Sequence, residues 1–191
     1  MKHEDEILQI INWAENKNLV HGSNIKNETL NLISSFGNLS VHVQNGTDAC
    51  KTIGDCVISL IIICRMENVS LLSTMEFTKD LKDIRVQDPY FAIITMVKYV
   101  GELAFKVNNH KHVEDDIKLN IGYILIYLKA MTEIYNFSLK ECLEEAFCEV
   151  KENTDVLYGG EFIEQSDNRY EDIDKVIQSN ITSRNKKPNP Q

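Results

Sequence analysis

The stretch Ile53-Gly54-Asp55-Cys56-Val57-Ile58-Ser59-Leu60-Ile61-Ile62-Ile63-Cys64 decides the fold. Ile53, Val57, Leu60 and Cys64 recur at spacings of four, three and four, the signature of one buried helical face. Ile61 to Ile63 widen that face to nearly the whole circumference, and a helix apolar all round belongs at the centre of a bundle. The apolar run from Cys56 to Cys64 is interrupted by Ser59 and far short of the roughly 20 residues a bilayer requires, so no membrane span is predicted. Asp48 is the predicted cap of this helix, which runs to about residue 67.

Working outward, a helix over about 4–15 carries Ile7, Ile10, Ile11 and Ala14, with Trp13 beside the stripe. Asn24 caps a helix over about 25–44 with Leu32, Phe36, Leu39 and Val43 on one face, stopped by Asn45-Gly46. Ser70 caps a short fourth helix. Pro89 is the single internal proline, and after the linker 79–89 the pattern restarts. A helix over about 90–107 presents Met96, Val100, Leu103 and Val107, and one over about 113–135 presents Ile117, Ile121, Ile124, Leu125, Leu128 and Met131. Ser138-Leu139-Lys140-Glu141 is a capping box that opens a helix with Leu139, Cys142, Leu143, Ala146, Phe147 and Val150 on one side.

The restart is a repeat. Phe36-Gly37-Asn38-Leu39 aligns with Val100-Gly101-Glu102-Leu103, and Val43-Gln44-Asn45 with Val107-Asn108-Asn109, both at an offset of 64. Ile53-Gly54-Asp55 aligns with Ile121-Gly122-Tyr123, and Val69-Ser70-Leu71 with Phe137-Ser138-Leu139, at an offset of 68, the change falling in a turn. Each unit is a hairpin whose apolar stripe it cannot bury alone, so two units together predict a four-helix core on one chain. Gly37, Gly54, Gly101 and Gly122 lie mid-helix at about 1 kcal/mol each relative to Ala, a cost that points to close helix crossing or ligand access. The predicted organisation is a first repeat over 1–78, the linker 79–89, a second repeat over 90–168, and a polar tail over 169–191, partly disordered. In that tail Ile173, Val176 and Ile177 offer a last short helix or a docking segment.

With 20 Lys+Arg against 29 Asp+Glu the net charge is −9, which argues against non-specific duplex binding. It leaves open a nucleotide held through Mg²⁺ or a basic protein partner. The five cysteines, Cys50, Cys56, Cys64, Cys142 and Cys148, form no CxxC pair and read as apolar fillers in a reducing, cytoplasmic setting, with no export signal at the start of the chain. The broad apolar stretch Cys56 to Cys64 also suggests a homodimer. His110-Lys111-His112 before Glu114-Asp115-Asp116 reads as a solvated polar turn rather than a metal site, and no Ser or Cys has a His partner for a hydrolase triad.

Trp13 through Leu71, with Asn18-Leu19-Val20-His21-Gly22-Ser23 leading into the second long helix, resembles the all-α nucleotide pyrophosphohydrolase superfamily typified by MazG, especially its small phage and bacterial members. Met96 to Lys151 resembles the same unit, including Ser138 to Leu143, and Gly159 to Asp167 resembles the family's strand-like tail. The resemblance implies an all-α, MazG-like four-helix-bundle core made of duplicated hairpins. It also implies a chemistry, hydrolysis of the α–β phosphoanhydride of nucleoside triphosphates on Mg²⁺ held by five carboxylates. The family places two adjacent Glu and a third Glu three residues later on one helix, then Glu and Asp three apart on the next, so that they share an acidic wall.

Carried over residue by residue, the first repeat has Ser34, Ser35 and Asn38 on the first of these helices and Thr52 and Asp55 on the second. The second repeat has Lys98, Tyr99 and Glu102, then Asn120 and Tyr123. Neither retains more than one carboxylate. The family's basic pair after the fourth helix is replaced by Glu152-Asn153-Thr154-Asp155, and its tail lysine by Glu164. Lys98 stands four residues before Glu102 and is placed to pair with it. No catalytic residue and no resident metal or cofactor is therefore expected. The implied function is a catalytically inactive MazG-like phage protein that binds and modulates a host protein. A nucleotide-sequestering protein and a divergent Mg²⁺-dependent pyrophosphohydrolase using Asp55 and Glu102 are the alternatives.

Overall fold

A computed structural model describes residues 4–77, 88–109 and 114–185. The described chain is all-α apart from one small β-hairpin. In order it comprises α1 (Glu4–Asn16), α2 (Leu19–Gly22), α3 (Ile25–Asn45), α4 (Cys50–Met66), α5 (Leu71–Phe77), α6 (Pro89–Asn109), α7 (Glu114–Ile134), α8 (Leu139–Val150), β1 (Val156–Tyr158), β2 (Glu161–Ile163) and α9 (Tyr170–Asn185). No helix among the described residues is long and apolar enough to cross a membrane.

Local chemistry sets the helix starts. The Asn24 side chain accepts from the Asn27 N–H, and the Ser138/Glu141 capping box is closed in both directions. Asp48 Oδ1 accepts from Cys50 N, one residue ahead of the geometric N-cap Ala49. Pro89 does not break a helix but begins one, where its missing N–H costs nothing, and Asp88 Oδ1 accepts from Tyr90 N.

Every residue of α4 from Cys56 to Cys64 is buried, as its apolar circumference requires. Helices α1, α3, α7 and α8 all pack against it. That burial corrects the reading of Cys56 to Cys64 as a dimerisation stripe, because the chain's own helices cover it. The tightest approach is between α4 and α8, where a Cβ on Gly54 would fall 2.0 Å from the Cys142 carbonyl oxygen. Beside it the Cys50 thiol donates to Cys142 Sγ at 3.2 Å. Burial pushes the Cys64 thiol up to about 12, so it is a neutral apolar filler.

The hairpins α3–α4 and α6–α7 pack side by side, with α3 against α6 and α4 against α7. The shorter fourth helices cross over: α8 lies on α4, and α5 lies on α7. The face of α4 and α7 is thus covered, and α3 and α6 form the outer layer.

Beyond α8 the chain turns through β1 and β2, antiparallel with Leu157 opposite Phe162, joined by Gly159 and Gly160 at φ 62° and 87°. Leu157 N donates to the Lys17 carbonyl, and Asn18 Nδ2 donates to the Leu157 carbonyl, so the hairpin docks on the α1–α2 junction in the first half of the chain. Within the segment expected as a polar tail, the last helix offered by Ile173, Val176 and Ile177 forms as α9 and runs as far as Asn185; residues 186–191 lie outside the described ones. Ile173 and Ile177, one turn apart, are buried with Val156 and Ile163, while Val176 is exposed.

Replacing Gly54 by Ala places a methyl group where the α8 backbone stands. The expected cost is about 2–3 kcal/mol of stability, measured as a shift in the urea midpoint, with the helical circular-dichroism signal retained at low denaturant.

Candidate functional site

The end of α1, the first turns of α3, the middle of α4, the end of α8 and the hairpin enclose a cleft of about 700 Å³. Its apolar wall includes Trp13, Leu30, Ile58, Ile62 and Phe162, and its polar wall includes Asn27, Asn31, Asn153, Ser23, Ser35 and Ser59. The carboxylates Glu28, Asp55, Glu149 and Asp155 line it against a single lining cation, Lys17. Burial lowers the Lys17 pKa, partly offset by the field of Asp155 and Asp174.

Glu28 is held on the first turn of α3 by two donors: Ser23 Oγ at 2.9 Å and Asn31 Nδ2 at 3.2 Å. It is buried at 4% exposure, so these donors replace water around its charge. Asp55 receives Lys51 Nζ at 3.0 Å, and the same ammonium reaches Glu149 at 3.2 Å, tying α4 to α8. Burial alone would lower the Lys51 pKa, but hydrogen bonds to Asp55 and Glu149 outweigh it and raise the value above the ordinary 10.5. Trp13 packs edge-on to Phe147 with ring centroids 5.8 Å apart. Its Nε1–H is buried and has no acceptor among the described residues. A buried donor left without an acceptor is costly.

Of the sequence-derived positions, Ser35 and Asp55 line this cleft together. Ser34 and Asn38 are exposed on α3, and Thr52 Oγ1 donates back to the Ala49 carbonyl inside α4. In the second half, the positions matching Ser35 and Asp55 are Tyr99 and Tyr123, whose rings stack at 4.4 Å. Tyr127 extends the stack at 6.2 Å, and Lys98 Nζ lies 5.3 Å from the Tyr99 ring centroid. Asn120 is buried and donates from Nδ2 to Glu102 Oε2 at 2.9 Å, while Lys106 donates to its Oδ1. Lys98 pairs with Glu102 at 3.9 Å, four residues on, at the solvent-exposed edge.

Asp55 and Glu102 share none of these partners. A hard divalent cation requires several convergent oxygens, and among the described residues no group of three or more His, Cys, Asp or Glu is placed to hold one. The Mg²⁺ that the sequence resemblance implies therefore does not fit these positions among the described residues, and no step through it is derived. His110 to His112 lie outside the described residues. His42 is half-buried, its Nδ1 beside Thr47 Oγ1 at 2.9 Å. Sequence reading missed Lys17, Glu28, Lys51, Glu149 and Phe162 as residues of this cleft. Only the polar spacing Ser23, Asn27, Glu28, Asn31 at the start of α3 carried a local signal.

No family model matches the chain, and no solved structure matches it. The chain is similar to an uncharacterized 18.2 kDa protein in the rep-hol intergenic region of Haemophilus phage HP1 (strain HP1c1). The two are 26% identical over 154 residues, covering 73% of this chain and 94% of the phage protein.

Because the Lys51 pKa is raised in the fold, its stabilising contribution is fully present below pH 10.5 and is lost as pH rises through the folded value. Lys51→Met removes it. At neutral pH the expected loss is no more than about 1 kcal/mol, since solvent screens the partly exposed pair. The urea midpoint of the variant should then fall less steeply than that of the parent above pH 10.5, measured by circular dichroism across that range.

Proposed function

We propose that the chain is a MazG-like scaffold, phage-encoded like its relative, that has given up pyrophosphohydrolysis and uses the cleft between α3, α4, the end of α8 and the hairpin to hold an uncharged heterocyclic ligand of nucleoside type. The reading rests on one contrast: Ser35 and Asp55 border an open cleft, whereas Tyr99 and Tyr123 stack together at the matching positions of the second half. A protein that carried two working metal walls would not need to fill one with aromatic rings.

The ligand class follows from the lining. Trp13 and Phe162 present rings, and Asn27, Asn31 and Asn153 present side-chain amides, of which Asn31 Nδ2 already donates to Glu28 and Asn153 Oδ1 already accepts from Asp155 N. A volume of about 700 Å³ admits a base with its sugar. Even with Lys51 on Asp55 and Glu149, four carboxylates against Lys17 and Lys51 leave the lining net negative, which disfavours a polyphosphate in the interior. In this reading Glu28 and the asparagines recognise the polar edge of the heterocycle, and Asp55, neutralised by Lys51, serves as wall rather than as metal ligand.

A host protein as target is the second reading, favoured by the phage relative and the net charge of −9. It does not require an empty cleft, and a ligand bound there would control such an interaction rather than replace it.

Trp13 is the chain's single tryptophan, so its fluorescence reports on the cleft directly. Titration with uncharged nucleosides should quench or shift it. Phe162→Ala should weaken that response by about 10-fold, as expected for the loss of one aromatic stacking partner. Nucleoside triphosphates with Mg²⁺ should bind more weakly than the nucleosides and release no pyrophosphate. Pyrophosphate release abolished by Asp55→Ala or Glu102→Ala would refute the proposal, as would an unchanged Trp13 signal across the whole nucleoside series.

A further inference from the structure

Glu28 is the most deeply buried charged residue lining the cleft, at 4% exposure beside the half-buried Lys17, Asp55 and Asp155 and the exposed Glu149. Asp55 and Glu149 share the Lys51 ammonium, but Glu28 makes no ion pair among the described residues. Its partners are neutral: Ser23 Oγ donates to Oε1 and Asn31 Nδ2 to Oε2. Both donors line the cleft themselves, so the carboxylate held between them lies in its wall.

A carboxylate offers about four lone-pair directions, two on each oxygen. The Ser23 and Asn31 donors occupy one on each oxygen, and one on each remains. The first turn of α3 favours the charge through the helix dipole, yet a carboxylate so far from water still gains from further donors. What remains is a pair of anionic acceptors side by side. Its complement is a group with two adjacent N–H donors, joined by two parallel charge-assisted hydrogen bonds.

Resting on the nucleoside reading of the cleft, we infer that Glu28 selects guanine, its two oxygens accepting from the ring N1–H and the 2-amino group. Among the common bases only guanine carries two donors side by side on that edge. Adenine and cytosine set a ring-nitrogen acceptor beside their amino group, and a carboxylate repels it. Uracil, thymine and hypoxanthine have one ring N–H there and no amino group next to it. The guanine O6 adjoins N1–H and requires a donor. Asn27 is the lining asparagine whose side chain is uncommitted among the described residues, whereas Asn31 and Asn153 are engaged. A bare guanidinium has the same fork of donors, but it would leave the apolar wall of Trp13, Ile58, Ile62 and Phe162 uncovered, and a purine ring covers it.

Trp13 fluorescence titrations of the full chain with guanosine, inosine, adenosine, cytidine and uridine test this. Guanosine should bind about 10-fold or more tightly than inosine, which lacks only the 2-amino group, and than the other three. Glu28→Gln keeps the side-chain shape and turns one acceptor into a donor. It should weaken guanosine by about 10-fold or more and change the other four by less than about 3-fold. A Glu28 that only braces the start of α3 would instead shift all five together. Should Glu28→Gln fail to fold, the guanosine–inosine comparison on the parent chain decides alone. Equal affinity for guanosine and inosine overturns the inference and leaves the nucleoside reading standing, as does a Glu28→Gln chain that weakens for all five alike. Silence of Trp13 toward every nucleoside overturns both, and so does tighter binding of agmatine, a cationic guanidine, than of guanosine.

Discussion

The contact of α4 with α8 at Gly54 fixes the rest of the molecule. With no side chain at that position the two backbones meet, Cys50 and Cys142 fall into contact, and the two helices run close enough for one ammonium to reach carboxylates on both. Lys51 then holds Asp55 and Glu149 in the wall of the cleft rather than leaving either carboxylate free in it. A wider crossing would separate Lys51 from Glu149, tilt the end of α8, and move the hairpin that follows it. The cleft is in this sense a by-product of close packing two turns away.

The two halves use one framework for different ends. Equivalent positions are small and polar where the first half is open, and aromatic where the second is filled. An offset aromatic stack contributes about 0.5–1.5 kcal/mol beyond the area it buries, and Tyr99 with Tyr123 adds this where a metal wall would have had to desolvate several carboxylates. The Asn120 amide between Glu102 and Lys106 completes a polar network in the same region. The stacked rings close the second of these positions, while Ser35 and Asp55 border the cleft.

Most helices were legible because their signals are local. Asn24, Asp48, Ser70 and Ser138 act on N–H groups within three residues of themselves, and the apolar stripes of α3, α4, α6 and α7 repeat over several turns. The cleft was not legible in the same way, because it is built from pairs distant in sequence. Lys51 and Glu149 lie on different helices, Asn18 binds the Leu157 carbonyl, and Phe162 joins Trp13 only after β1 docks on α1. The helix α9 was legible only as one of two options, because the short apolar row Ile173 and Ile177 gains its partner surface from Val156 and Ile163, which lie outside the segment.

The crossed placement of α5 and α8 has a consequence for how the chain comes apart. Each half contributes the helix that seals the other half's hairpin, so neither can mature while its counterpart is missing. Severed between its hairpins, the chain would yield two fragments that are collapsed or disordered alone and that reconstitute on mixing. Left intact, the exchange of α5 and α8 ties the unfolding of either hairpin to exposure of the other's apolar face.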